Sequence, residues 1–99
     1  MKRYSDALSA TKTAMELGAN DSLDWGNLGD IYMSLGRLSD AESAFKQEVK
    51  LEPAGVLSAH GWENLYRIYQ SLGRSTEAKA AYEQWQTARK RMPTSKTGF

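Results

Sequence analysis

The stretch that decides the fold runs from Trp25 to Pro53 and reads WGNLGDIYMSLGRLSDAESAFKQEVKLEP. Trp25, Leu28, Gly29 and Tyr32 stand at offsets of 3, 4 and 7, the spacing that puts side chains on one face of a helix. Leu35-Gly36-Arg37 then interrupts the pattern, as a glycine just past a helix end does, with a basic residue beside the last carbonyls. A second periodic run carries Ala41 and Phe45 and stops before Pro53. Two helices joined by a tight turn account for the whole segment.

Working outward, the same sentence recurs. Trp62, Leu65, Tyr66 and Tyr69 reproduce the first helix 37 residues later, and Leu72-Gly73-Arg74 reproduces the turn. Arg3-Tyr4-Ser5-Asp6-Ala7, Arg37-Leu38-Ser39-Asp40-Ala41 and Arg74-Ser75-Thr76-Glu77-Ala78 open the second helices, their alanines 34 and then 37 residues apart. A fixed period of this length marks an array of supersecondary units. Five helices are expected, over 3–17, 22–35, 38–52, 57–72 and 75–91. Asp21 or Ser22 is placed to cap the second and Ser58 the fourth, with Ser39 and Ser75 near the starts of the third and fifth.

Composition agrees and excludes much. The 99 residues are 40% hydrophobic and 25% charged, enough for a modest core. Two prolines, sparse Val and Ile and abundant Ala, Leu, Glu, Lys and Gln favour helix over strand. A formal charge of +1 gives no global drive toward nucleic acid or anionic membrane. With no cysteine there is no disulfide, thiolate nucleophile or cysteine-ligated metal. No apolar run approaches the roughly 20 residues of a membrane span. Polar Ser5 and Asp6 follow Met1-Lys2-Arg3 where a signal-peptide core would begin, so a cytoplasmic location is the default expectation.

On these residues the chain resembles the tetratricopeptide repeat family. Trp25, Leu28, Gly29, Tyr32, Ala41, Phe45 and Pro53 match its pattern in full. The next unit keeps Trp62, Leu65, Tyr69, Ala78 and an aromatic Tyr82, but has Tyr66 for the glycine and Lys90 for the proline. The first unit is a second helix only, with Ala7, Leu8, Ala14 and Leu17 in register and Thr11 where an aromatic belongs. The resemblance implies an all-α fold, antiparallel helix-turn-helix repeats stacked as a short right-handed superhelical solenoid of two and a half repeats. Residues 1–92 form one domain, divided into a half repeat (1–21) and full repeats at 22–55 and 59–92. A basic, mobile tail over 93–99 follows.

In such an array Trp25, Tyr32, Phe45, Trp62, Tyr69 and Tyr82 are expected in the core. Ala41 and Ala78 are small because paired helices approach closely there, and Gly29 has the same explanation. Tyr66 in its place implies either a slightly opened helix pair or a ring turned toward a neighbour. Glu48 stands at a position that is normally a small alanine, so it pairs with a nearby cation or alters the stacking. Val56 and Leu57 in the inserted segment add a local hydrophobic contact and lengthen the entrance to the fourth helix. Trp85 replaces another alanine, facing where a following repeat would stack.

The resemblance also implies where binding occurs, on the concave face lined by the first helix of each repeat. That places Leu23, Gly26, Asn27, Asp30 and Met33 there, followed by His60, Glu63, Asn64, Arg67 and Gln70. Asn27 and Asn64 lie two residues after their tryptophans, where family members present an amide that can bond both N–H and C=O of an extended peptide. Members that grip a terminal carboxylate use several basic groups; Gly26 and Asp30 depart from that pattern, and Arg67 is the one cation assigned to this groove.

No Ser/His/Asp arrangement, HExxH or phosphate loop occurs. His60, the only histidine, reads as a solvated side chain rather than a zinc ligand. No catalytic residue, metal site or cofactor is therefore expected. The leading reading is a non-catalytic protein-interaction module that takes a peptide or partner helix in its groove, through Asn27, Asp30, Met33, Glu63, Asn64, Arg67 and Gln70, with neither nucleic acid nor membrane as partner. The alternatives are a self-associating scaffold, homo-oligomeric through uncapped ends at Tyr4, Leu8 and Trp85, and a docking or regulatory segment of a longer enzyme.

Overall fold

The computed structural model describes residues 2–18, 21–51 and 56–91. It holds five helices: α1 (Lys2–Glu16), α2 (Ser22–Ser34), α3 (Leu38–Leu51), α4 (Val56–Ser71) and α5 (Ser75–Arg91). No strand occurs among the described residues. The architecture is an all-α stack of helical repeats: α2 pairs with α3, α4 with α5, and α4 lies against α3 and α2. At the two ends α1 packs against α2 alone and α5 against α4 alone. The expected segment boundaries hold to within a residue at each helix end. The expectations for Pro53–Gly55 and for residues 93–99 lie outside the described residues, as do the side chains of Val56 and Leu57.

The turns explain why each pair is antiparallel. Gly36 and Gly73 have φ of 75° and 72°, the left-handed region where a side chain costs about 1–2 kcal/mol. That geometry lets the Arg37 N–H reach back to the Tyr32 carbonyl at 2.8 Å and the Gly36 N–H to Met33 at 3.0 Å, and Arg74 to Tyr69 at 2.8 Å with Gly73 to Gln70 at 3.2 Å. These paired bonds satisfy carbonyls orphaned at the helix end. The arginine after each glycine then lies over the tyrosine it caps, Arg37 4.9 Å from the Tyr32 ring centre and Arg74 4.8 Å from that of Tyr69. Asp21 starts α2 by accepting from the Asp24 N–H at 3.0 Å, while the Asp24 carboxylate accepts from the Asp21 N–H at 3.2 Å. Ser58 does not cap α4. The helix begins at Val56, two residues earlier, and Ser58 is fully buried inside its first turn.

The core is one cluster running through α2–α5, with Phe45, Leu65 and Ile68 completely buried and Ala41, Ala44 and Ala81 closing the gaps between helices. Burying a side chain such as Phe45 or Leu65 contributes about 2–3 kcal/mol. A Cβ on Gly29 would meet the Phe45 ring at 2.6 Å, which is why that ring lies flush against α2. Leu8 and Met15 of α1 pack on the edge of the cluster, whereas Tyr4 is exposed. Glu42 on α3 ties the two repeats together outside the core. It accepts from Tyr69 Oη at 3.0 Å and from Arg74 at 2.9 and 3.2 Å, and it pairs with Lys46 at 3.1 Å. Burial pushes the Glu42 carboxyl up most, but the bonds from Arg74, Lys46 and Tyr69 together outweigh it and hold the group below the usual carboxylate range.

One core assignment fails. Tyr82, the counterpart of fully buried Phe45, is 43% exposed. Two differences account for this: Tyr66 stands where Gly29 leaves room for Phe45, its ring 5.3 Å from that of Tyr82, and no described helix packs on α5 as α4 packs on α3. Of the two outcomes expected for Tyr66, the ring turned toward a neighbour is the one observed, with Trp85 at 6.1 Å as its other contact. Trp25 and Trp62 are half-buried at the edge of the core.

Candidate protein-binding groove

The candidate groove lies along α2 and α4, the first helices of the two pairs, which are in contact. Asn27 and Asp30 of α2 and Arg67 and Gln70 of α4 are exposed; Met33, Glu63 and Asn64 are half-buried. One turn apart on their own helices, these residues form two adjacent polar rows. Arg67 pairs with Glu63 at 2.9 Å, and Gln70 Nε2 donates to Tyr66 Oη at 2.9 Å. Asn64 Nδ2 donates to the His60 carbonyl of its own helix at 2.9 Å, which engages one of the two N–H groups of its side-chain amide. The three residues assigned to association lie apart: Tyr4 and Leu8 on α1 at one end of the stack, half-buried Trp85 on α5 at the other.

His60 is not a solvated side chain. It lies half-buried where α2, α3 and α4 meet, with Nδ1 3.0 and 3.1 Å from the two carboxylate oxygens of Glu48 and Nε2 3.2 Å from Asp30 Oδ1. Its ring also meets Phe45 edge-on at 5.6 Å. The Glu48 carboxylate on Nδ1 raises the His60 pKa above its ordinary value; burial opposes this, and the charges of Glu48 and Asp30 reinforce it. The shift is toward the imidazolium, and the ring bridges three helices. The two carboxylates lie on opposite edges of the ring, so they do not converge on a point as metal ligands must.

Of the two outcomes expected for Glu48, pairing is the one observed, its partner being His60, a cation when protonated. Its side chain is completely buried, and two glycines make the room. A Cβ on Gly26 of α2 would collide with the Glu48 carboxylate, and one on Gly61 of α4 would lie 2.9 Å from Glu48 Oε1 and 2.5 Å from Val49 Cγ1. A large residue stands where the pattern has a small one, with glycines opposite it on both facing helices. That reciprocal change was the available signal, and reading each position alone missed it.

Asp30 thus reaches across from α2 to α4, with a half-buried histidine and a buried carboxylate beneath it as the groove floor. Comparison with curated proteins finds no match. The family model described as tetratricopeptide repeat matches residues 25–54 and again residues 59–89. Two matched units spanning most of α2–α5, together with the stacked helix pairs seen here, show that this chain belongs to the tetratricopeptide repeat family.

Proposed function

We propose that this chain mediates protein–protein interaction, as repeats of its family generally do, and that it does so without catalysis, by holding an extended peptide or a partner helix against α2 and α4 through Asn27, Asp30, Met33, Glu63, Asn64, Arg67 and Gln70. The observation that carries the reading is the Asp30–His60 contact at 3.2 Å, which sets the two polar rows edge to edge over a stiff floor. Asn27 and Asn64 supply amides for a peptide backbone, Arg67 and Glu63 one charge of each sign, and Met33 an adaptable apolar contact. Immobilised peptide arrays would find a ligand, and calorimetry with Asn64→Ala and Arg67→Glu would locate it. A loss of affinity of about fivefold or more in at least one variant is expected. Unchanged affinity in both, with unchanged thermal melts, removes the groove assignment.

A further inference from the structure

The 37-residue period lets one face of this molecule be compared with another. The outward face of α3 is covered by α4: Phe45 and Glu48 hold His60, and Glu42 takes the Tyr69 hydroxyl and the Arg74 guanidinium. The corresponding residues of α5 are Tyr82, Trp85 and Lys79. Among the described residues α5 packs only against α4, so none of them covers this second face. Tyr66, Tyr82 and Trp85 form a ring cluster there with centres 5.3–6.1 Å apart, and the Arg89 guanidinium lies 5.6 Å from the Trp85 ring centre. Beside it opens a cleft of about 380 Å³ whose lining includes Tyr66, Gln70, Ser75, Ala78 and Lys79.

The occupied face shows what kind of object fits, namely a helix seated across the pair. The substitutions show how its chemistry must differ. Glu42, which receives a tyrosine hydroxyl and an arginine, is replaced by Lys79, so the occupant presents a carboxylate at that point. Glu48, which needs a histidine, is replaced by Trp85 under Arg89, so the occupant presents an apolar residue there. A further unit of the chain's own pattern fits poorly, because each second helix opens with arginine (Arg3, Arg37, Arg74) and would bring it against Lys79. A second copy packing α5 on α5 would oppose Lys79 and Arg89 to their own duplicates.

We propose that the outward face of the α4–α5 pair docks an amphipathic helix of another protein, with its apolar stripe on Tyr82 and Trp85 and an acidic residue on Lys79. Gln70 borders both this surface and the groove; Tyr82, Trp85 and Lys79 are not groove residues.

The probe follows from the template. A peptide of residues 56–74 with His60→Ala presents the helix that fills the equivalent seat, and a second version adds Tyr69→Glu and Arg74→Glu. Titrated into the full chain by calorimetry, the acidic peptide is expected to bind about tenfold more tightly than the basic one. Lys79→Glu should invert that order, and Trp85→Ala, with an unchanged far-ultraviolet melt, should weaken both. Equal affinities, or a preference that Lys79→Glu leaves in place, overturn the proposal. Sensitivity to Asn64→Ala but not Trp85→Ala would move the binding to the groove. Sedimentation showing a dimer that Trp85→Ala dissolves would assign the face to a second copy; both results also refute the assignment.

Discussion

Removing His60 should harm the protein more than removing Glu48, although the two form one pair. In His60→Ala the Glu48 carboxylate stays sealed between Gly26 and Gly61 with its cation gone. Stranding a buried charge costs about 3–5 kcal/mol. Because the His60 side chain is 35% exposed, water entering the space relieves part of this, and about 2–3 kcal/mol is expected. Glu48→Ala removes the buried charge instead and leaves a half-hydrated histidine still beside Asp30; its cost is the emptied slot, about 1–2 kcal/mol. The double variant should resemble Glu48→Ala, giving a coupling equal in size to the His60→Ala loss, about 2–3 kcal/mol. Urea denaturation followed by circular dichroism at pH 6 measures all four proteins, and thermal midpoints should fall by about 4–8 °C per kcal/mol. If Glu48→Ala proves the more damaging, or the two losses add, then the pair is not a buried charge held by its partner and the reasoning fails.

Three further outcomes follow from the same geometry and its neighbours. Because the folded-state pKa of His60 is raised above 6.5, its stabilisation is complete below the unfolded value and is lost as pH rises through the folded one. Unfolding free energy should therefore decline from pH 6 upward across that window, and Glu48→Ala/His60→Ala should lose this part of the slope. Gly26→Ala collides with Glu48 alone, so it should destabilise the native chain by about 1–3 kcal/mol. In a Glu48→Ala background the same change should stabilise by about 0.5–1 kcal/mol through helix propensity, a reversal readable in urea midpoints. Gly73→Ala meets no neighbour within 4 Å yet should cost about 1–2 kcal/mol for its φ of 72°, and an Asn substitution, tolerant of that region, should recover much of the loss in a thermal melt.

Helices, turns and pairing were legible because their causes are local. Periodicity names the buried stripe, Gly36 and Gly73 name the reversals, and the recurring Arg-x-x-acid-Ala opening shows where each second helix starts. The candidate site was legible only as far as one helix carries it: Asn27, Asp30, Arg67 and Gln70 are exposed because they face away from their own stripe. His60 was misread because its partners come from α2 and α3, at separations of 30 and 12 residues, and nothing on α4 reports them. Tyr82 failed for a related reason. Its position predicts burial, but Tyr66 stands on the facing helix where a glycine would leave room, and no described helix packs on α5 as α4 packs on α3.

The slot shared by Gly26, Glu48 and Gly61 also restricts the order in which this sequence can change. Starting from alanine at position 48 with alanines opposite, glutamate cannot arrive first, since both methyl groups would collide with its carboxylate. The glycines can arrive first, each at about 0.5–1 kcal/mol of helix propensity, and leave an opening that only a long side chain fills. Once Glu48 is in place neither methyl group can return first, because each would now strike an occupied space; alanine must return at position 48 before either glycine is replaced. Three positions on three helices therefore change only in a set order, the glycines leading on the way in and Glu48 leading on the way out.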